Sequence, residues 1–153
     1  MSLDRIRLAS LHNKVISAEE AAKFIKDGMT VGMSGFTRAG EAKAVPLALV
    51  EQAKNNPLKI TLITGASLGN DLDKKLTETG VLARRLPFQV DNTLRKAINK
   101  GEVMFIDQHL SETVEQMRNG QLKKTELAII EAVAITEDGG IIPTTSVGNS
   151  ASF

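Results

Sequence analysis

Short apolar runs alternate along this chain with segments whose apolar residues recur every three or four positions. The apolar runs lie at residues 30–34, 59–64, 103–106 and 127–135. Several of them are rich in β-branched side chains, which is typical of buried strands. The segments between them have the spacing of amphipathic helices and lie at residues 17–27, 46–56, 71–79, 92–99 and 111–117. Strands that alternate with helices predict βαβ units, and therefore an α/β fold with a mainly parallel sheet flanked by helices.

Local signals mark several of the predicted helix ends. Ser17 and Glu20 have the spacing of a capping box, in which each side chain accepts a hydrogen bond from the backbone of the other residue. Gly28 is well placed to end that helix, and Pro46 suits the first turn of the next one. Residues 82–88 are compatible with a short strand or with an extended loop.

The apolar run at 127–135 is the longest in the chain and is interrupted only by Glu131. A turn signal follows at residues 136–140 and predicts a hairpin with a strand at 141–147, so the run at 127–135 would have an antiparallel partner. The sequence then ends shortly after a Gly-Asn-Ser loop. We therefore expect residues 1–153 to form one domain, which is the front part of a longer protein.

The amino-acid composition limits the classes of molecule that this chain is expected to bind. The 153 residues include 19 Lys or Arg and 18 Asp or Glu, and this balance gives no electrostatic reason to expect nucleic acid or an anionic membrane as a partner. There is no Trp or Tyr, and no Cys for disulfides, thiolate metal sites or a thiol nucleophile. The N-terminus lacks the apolar core of a signal peptide, and no apolar run approaches the roughly 20 residues that cross a bilayer. We expect a cytoplasmic protein.

Ligands of open α/β sheets bind beside the carboxyl ends of the strands, which selects the loops after Ser34, Thr64, Ile106 and Val147. The first loop has glycines at 32, 35 and 40, a spacing that fits neither the dinucleotide fingerprint nor a phosphate-binding P-loop. This loop can contact a ligand or form a plain tight turn. In the second loop, the Ser67 hydroxyl can bind a carboxylate or a carbonyl, or it can cap the segment that follows.

Charged residues give weaker signals. Glu131 interrupts a buried-looking run, so its carboxylate is catalytic, paired with an arginine, or exposed at an edge; structural pairing is the favoured interpretation. His109 follows a predicted strand near Asp107, but no third metal ligand is implied, and no metal site is predicted. Neither His109 nor His12 belongs to a Ser–His–Asp arrangement. Exposure to solvent, rather than contact with phosphate, is the default expectation for Arg38, Arg84 and Arg85.

A series of motifs, in order along nearly the whole chain, resembles one enzyme family. The motifs are Met33-Ser34-Gly35-Phe36-Thr37, Ala39-Gly40, Ala44-Val45-Pro46, residues 62–67, Pro87-Phe88, residues 131–140 and residues 146–150. With them, the chain resembles the N-terminal part of the acetyl-CoA hydrolase/transferase family, of the succinyl-CoA:acetate CoA-transferase type. Several motifs in the same order are far more specific than any single glycine loop.

The resemblance implies a CoA-transferase (NagB/RpiA-like) fold in truncated form, because family members are much longer and have two related α/β domains. It implies a reaction that moves CoA from an acyl-CoA to a small carboxylate such as acetate or succinate, through a glutamyl-CoA thioester. Coenzyme A thioester is then a co-substrate, and no permanently bound cofactor is expected. The nucleophilic glutamate belongs to a C-terminal domain that is absent here, so no catalytic residue is assigned; neither Glu41 nor Glu131 matches its motif.

The part of the site that carries over is the N-terminal wall of the substrate pocket. Its expected substrate-binding residues are Gly35, Phe36, Thr64, Gly65, Ser67, Gly148 and Asn149. The loop at 38–43 and Val90 depart from the family pattern. An alternative is a non-catalytic binding or assembly subunit that works with a separate second half. A sugar-phosphate isomerase is disfavoured, because it would need a phosphate loop and an acid–base pair that the sequence does not supply.

We expect this chain to self-associate as a homo-oligomer. A terminal strand without covering residues leaves an edge and an apolar surface that favour pairing with another chain. Static light scattering measures the mass in solution, to be compared with 16.5 kDa for one chain. A clean monomer at high protein concentration would contradict this expectation.

Overall fold

Five parallel strands form the main sheet in the part of the chain that the structure describes, residues 3–69, 71–145 and 148–153. The structure is a computed structural model. The strands of this sheet are β1 (Thr30–Met33), β2 (Ile60–Thr64), β3 (Leu82–Leu86), β4 (Met104–Phe105) and β5 (Leu127–Ile129). They lie in the order β4-β3-β2-β1-β5, and all neighbours are parallel. The predicted mainly parallel sheet is confirmed, and residues 82–88 contain a strand.

Among the described residues, five α-helices connect or flank these strands. They are α1 (Ala18–Ala22), α2 (Ala44–Asn55), α3 (Leu72–Glu78), α4 (Asn92–Asn99) and α5 (Leu110–Arg118). Short 3-10 helices lie at Leu3–Arg5, Ala9–Lys14 and Ser150–Ser152. The predicted capping box is present, with Ser17 Oγ accepting from the Glu20 N–H at 3.1 Å and Glu20 Oε2 accepting from the Ser17 N–H at 2.9 Å. No helix within the described ranges has both the length and the apolar character needed to cross a membrane.

The order of the strands places helices on both faces of the sheet. From β1 to β4 the chain moves outward through α2, α3 and α4, and it then returns through α5 to place β5 beside β1. Such crossovers are right-handed in almost all proteins, so α2, α3 and α4 lie on one face and α5 lies on the other. The 3-10 helix at 150–152 contacts α5, and the ring of Phe153 packs against Gly32, where a Cβ atom would lie 2.5 Å from the ring.

The hydrophobic core lies between the sheet and helices α2, α3 and α4. Its fully buried members include Val31, Met33, Leu49, Ile60, Leu62, Leu76, Leu82 and Leu94. Each buried aliphatic side chain of this size contributes about 1.5–3 kcal/mol relative to an exposed one. Because strands and helices share this core, the carboxyl ends of the strands, from which the candidate loops start, are fixed in position.

The apolar run at 127–135 is not a single strand, and this corrects the prediction. β5 ends at Ile129, whose carbonyl accepts from the Ser34 N–H at 2.9 Å. The Glu131 N–H then donates to Ser34 Oγ at 2.8 Å. A side chain, rather than the backbone of β1, therefore takes the next hydrogen bond, and the chain leaves the main sheet at this point.

The predicted hairpin is present in a shorter form. It pairs β6 (Ala132–Ile135) with β7 (Ile141–Pro143) in antiparallel orientation. The Thr136 N–H donates to the Gly140 carbonyl at 2.8 Å, and Gly139 has a φ of 89°, which glycine adopts without strain. The predicted strand at 141–147 is too long: β7 ends at Pro143, which has no N–H for further pairing. Ser146 and Val147 lie outside the described residues.

A buried ion pair joins β3 to α3. Arg85 and Asp73 are both 0% exposed, and Arg85 Nε lies 3.0 Å from Asp73 Oδ1. Arg85 also donates through Nη2 to the Ala66 carbonyl at 2.9 Å and through Nη1 to the Leu86 carbonyl. Asp73 Oδ2 accepts from the Leu68 N–H at 2.8 Å. Both charged groups thus have partners, which is the condition for placing them in a protein interior.

The burial of Arg85 contradicts the expectation that it is exposed to solvent. The register of the sheet places Arg85 beside Leu62, on the face that contributes to the core. A guanidinium group is tolerated there because Asp73 supplies a carboxylate from α3. Arg38 and Arg84 are exposed, as expected.

Replacing one partner of this ion pair leaves a buried charge without its counter-ion, which costs about 3–5 kcal/mol. We expect Arg85→Met to lower the free energy of unfolding by about that amount, as measured by urea titration followed by circular dichroism. Arg84→Met is the matched control, because this arginine is adjacent and exposed; it should change stability by less than about 0.5 kcal/mol. Equal effects of the two substitutions would show that the pair is not buried as described.

Candidate functional site

Backbone hydrogen bonds join the first two loops at the carboxyl edge of the sheet. The Thr37 N–H donates to the Ser67 carbonyl at 3.0 Å, and the Gly69 N–H donates to the Thr37 carbonyl at 3.0 Å. Within the first loop, Phe36 and Ala39 exchange N–H···O bonds at 3.0 and 3.1 Å. The loop after β1 is therefore a tight turn that is also paired with the loop after β2, and it leaves the Phe36 ring accessible.

Three of the predicted site residues, Gly35, Gly65 and Gly148, form a glycine cluster. A Cβ atom on Gly65 would lie 2.7 Å from Gly148 Cα and 2.7 Å from the Gly35 carbonyl oxygen. A side chain at position 65 would therefore push these three segments apart. Beside the cluster, Asn149 is buried, and its Nδ2 donates to the Thr64 carbonyl at 3.0 Å. The residues at 148–149 are thereby fixed against the ends of β1 and β2.

The seven predicted substrate-binding residues thus lie at one edge of the sheet, but most of them are buried. At most 4% of the surface is exposed in Thr64, Ser67 and Asn149. Of the seven, Phe36 and Gly148 are exposed. Ser67 is not the N-cap of α3, because Asp71 has that position. The buried members support the loops, and Phe36 presents its ring to solvent.

A cleft of about 550 Å³ opens at this edge of the sheet. Its lining residues are Phe36, Thr37, Ala66, Phe88, Asp107, Gln108, His109 and Leu110. They follow the carboxyl ends of β1, β2, β3 and β4. Phe36 and Phe88 are 45% and 43% exposed, so two aromatic residues at the cleft are partly accessible to solvent. Crevices at this position are the usual ligand sites of open α/β sheets.

Sequence reasoning identified only part of this cleft. It selected the loop after Ile106, but it assigned no binding role to Asp107 or His109, and it placed Phe88 only in a motif. The available signal was a run of polar residues directly after an apolar strand. That signal is weak, because it does not reveal that four loops converge on one crevice.

Glu131 is engaged by two polar side chains and does not line the cleft. Its Oε2 lies 2.5 Å from Lys43 Nζ, and its Oε1 accepts from Thr144 Oγ1 at 3.0 Å. Lys43 Nζ also donates to the Glu41 carbonyl at 3.1 Å. Structural pairing, the favoured interpretation, is confirmed, although the partner is a lysine and not an arginine. These contacts join the loop after β1 to both ends of the hairpin.

Two carboxylates have shifted pKa values, and both lie away from the cleft. A hydrogen bond from Lys123, and a second one from the Thr30 N–H, lower the pKa of Glu126 from its ordinary value. The Thr136 hydroxyl is the main cause that lowers the pKa of Asp138. Both groups are therefore ionised at neutral pH. In the described ranges, no three potential metal ligands lie close enough together to hold an ion.

Curated relatives match nearly the whole of this chain. A family model of the acetyl-CoA hydrolase/transferase N-terminal domain matches residues 2–153. The succinyl-CoA:acetate CoA-transferase of Clostridium kluyveri is 44% identical over 97% of this chain and 28% of that protein. The acetyl-CoA hydrolase of Kluyveromyces lactis is 40% identical over 98% of this chain and 31% of that protein. The propanoyl-CoA:succinate CoA transferase of Escherichia coli K12 is 37% identical over 90% of this chain and 29% of that protein. The chain thus spans less than about a third of the length of these relatives.

Solved structures share the fold. An acyl-CoA transferase of Escherichia coli O157:H7, in a thioester complex with CoA, has a TM-score of 0.56 and 20% identity over 68% of this chain and 22% of that one. The decarboxylase AibA/AibB has a TM-score of 0.53 and 22% identity over 71% of this chain and 44% of that one. With the family match over nearly the whole sequence, it follows that this chain belongs to the acetyl-CoA hydrolase/transferase family, as an N-terminal domain.

Proposed function

We propose that this chain is the N-terminal part of an acyl-CoA:carboxylate CoA-transferase, which moves CoA between an acyl-CoA and a small carboxylate such as acetate or succinate. The observation that carries the proposal is the 44% identity, over 97% of this chain, to a succinyl-CoA:acetate CoA-transferase. A CoA thioester is then a co-substrate and not a resident cofactor. Other relatives are acetyl-CoA hydrolases, in which water takes the place of the acceptor carboxylate.

The proposed contribution of this chain is a rigid wall beside the reacting groups. The close packing of Gly35, Gly65 and Gly148 supports this role, because it leaves the three segments no room to move independently. Phe36 offers an apolar surface to the substrate. The buried Thr64 accepts a hydrogen bond from Asn149 and so keeps residues 148–149 against the end of β2. Rigidity matters here, since a misplacement of about 1 Å can cost about 100-fold in rate.

The proposed mechanism takes its nucleophile from outside these residues. A glutamate that attacks a thioester needs a carboxylate that can reach the carbonyl carbon. Glu131 is bound by Lys43 and Thr144, and Glu41 is fully buried. Neither residue lines the cleft. These observations support a glutamyl-CoA thioester formed on a glutamate of a C-terminal domain or of a second subunit.

A second candidate function is a non-catalytic binding or assembly subunit that works with a separate second half. The observation that favours it is the coverage of only 28% of the Clostridium kluyveri enzyme. In either case we propose a homo-oligomer as the working form. The two candidates differ in whether this chain, once joined to a second half, supports turnover.

Grafting separates these candidates. Residues 1–153 would replace the matching segment of the Clostridium kluyveri enzyme, and CoA exchange between succinyl-CoA and acetate would be followed by liquid chromatography. We expect the graft to exchange CoA, and the isolated chain to show no exchange. Exchange by the isolated chain at enzyme-like rates would place the nucleophile within it. A folded but inactive graft would favour the assembly subunit.

A side chain at position 65 should slow CoA exchange by the grafted enzyme. In Gly65→Ala the new Cβ would meet Gly148 Cα and the Gly35 carbonyl, so the loops must separate. We expect the exchange rate to fall by about 10- to 100-fold. Gly120→Ala is the control: with a φ of 72°, alanine strains the backbone at Gly120, but open space surrounds its Cα and it has no place in the cleft. Similar rates for the two variants would argue against a role of the glycine cluster in catalysis.

A further inference from the structure

His109 has a fixed orientation at the start of α5. It is the N-cap of this helix, and its Nδ1 accepts from the Ser111 N–H at 3.3 Å and lies 2.7 Å from Ser111 Oγ. A backbone N–H can only donate a hydrogen bond, so Nδ1 must carry no proton. In the neutral imidazole the proton is therefore on Nε2, which makes Nε2–H a donor.

This donor is available to a ligand. His109 is exposed and lines the cleft, and its Nε2 has no hydrogen-bond partner among the described residues. The other histidine differs in this respect, because His12 Nε2 lies 2.6 Å from the Ile6 carbonyl. The protein has two histidines in total, so one of them is satisfied internally and one faces the cleft.

The charge of the cleft indicates which ligand this donor suits. Asp107 is exposed and lines the cleft, and no lysine or arginine is among the described residues that do so. A free carboxylate would therefore meet a negative charge with no cation to offset it. An uncharged chain with carbonyl and amide groups would find a donor in His109, an acceptor in Asp107 and apolar surface on Phe36 and Phe88.

We propose that the cleft binds the uncharged, amide-bearing arm of an acyl thioester, with His109 Nε2–H donating to one of its carbonyl oxygens and Asp107 excluding free carboxylates. The identification of the arm as that of a thioester rests on the proposed function. The volume of about 550 Å³ lies within the usual range of about 300–1,000 Å³ for small-molecule sites. His109 and Asp107 are thus specificity-determining residues of the cleft.

The test is histidine-detected nuclear magnetic resonance on the 153-residue chain. The probes are S-acetyl-N-acetylcysteamine, which carries an uncharged thioester and an amide, and succinate, which carries only carboxylates. We expect the neutral His109 ring to show the Nε2–H tautomer, and its Nε2 signal to move saturably with the thioester. The His12 signal should stay in place, and succinate should move neither. A ring with the proton on Nδ1, a silent His109 signal, or an equal response to succinate would overturn the proposal.

Two variants and one control variant sharpen the result. His109→Asn keeps a side chain that can cap α5 but loses the Nε2 donor and with it the His109 signal; in titrations followed by calorimetry we expect about fivefold weaker thioester binding, the loss typical of one hydrogen bond. His12→Gln is the matched control and should bind like the unmodified chain. Asp107→Asn keeps an acceptor and removes the charge, so thioester binding should stay within about twofold while succinate binding strengthens at least about fivefold. Unchanged thioester binding in His109→Asn, or unchanged succinate binding in Asp107→Asn, would refute the assigned roles.

The result of this binding experiment can be distinguished from the result of the experiment that tests the proposed function. Binding is measured on this chain alone, whereas CoA exchange is measured on the graft. An active graft with a silent His109 would reject this inference and leave the proposed function in place. A folded, inactive graft with a responsive His109 would reject the transferase activity and leave the binding site in place.

Discussion

The arrangement of the candidate site depends on the buried ion pair between Arg85 and Asp73. Two charges can be removed from water only where their hydrogen-bonding groups are matched, and here each one also binds the loop after β2. Arg85 donates to the Ala66 carbonyl, and Asp73 accepts from the Leu68 N–H. The position of α3 on the sheet therefore determines the position of the loop after β2.

Further contacts connect this loop to its neighbours along the edge of the sheet. Ser67, between the two anchored residues, accepts from the Thr37 N–H, and this bond sets the turn after β1. The glycine cluster then brings residues 148–149 against both loops. The cleft takes its shape from backbone groups that are already paired. Exposed side chains that make no such bonds, Phe36 and Phe88 among them, can therefore differ in chemistry without a change of the backbone.

Sequence patterns predicted the fold better than they predicted the site. Apolar runs and caps identified the strands and helices because these signals are local; the bounds of α4, for example, match the predicted range of 92–99. The prediction of a single strand at 127–135 was wrong because the break in this strand depends on the Ser34 hydroxyl, about a hundred residues earlier. The prediction that Arg85 is exposed was wrong for a similar reason, since only the folded chain brings Asp73 next to it. Motif resemblance does not reveal the depth at which a residue lies: Ser67 and Asn149 are buried, and their contact with substrate stays a prediction.

The pairing of the loops after β1 and β2 has a consequence for variation among related proteins. Thr37 bonds both Ser67 and Gly69, so an inserted or deleted residue in either loop would shift one partner past the other and break both bonds. Changes of loop length, which surface loops usually tolerate, are therefore disfavoured in these two loops. In these two loops, new specificities are expected to arise by substitution of exposed side chains on a backbone of constant length.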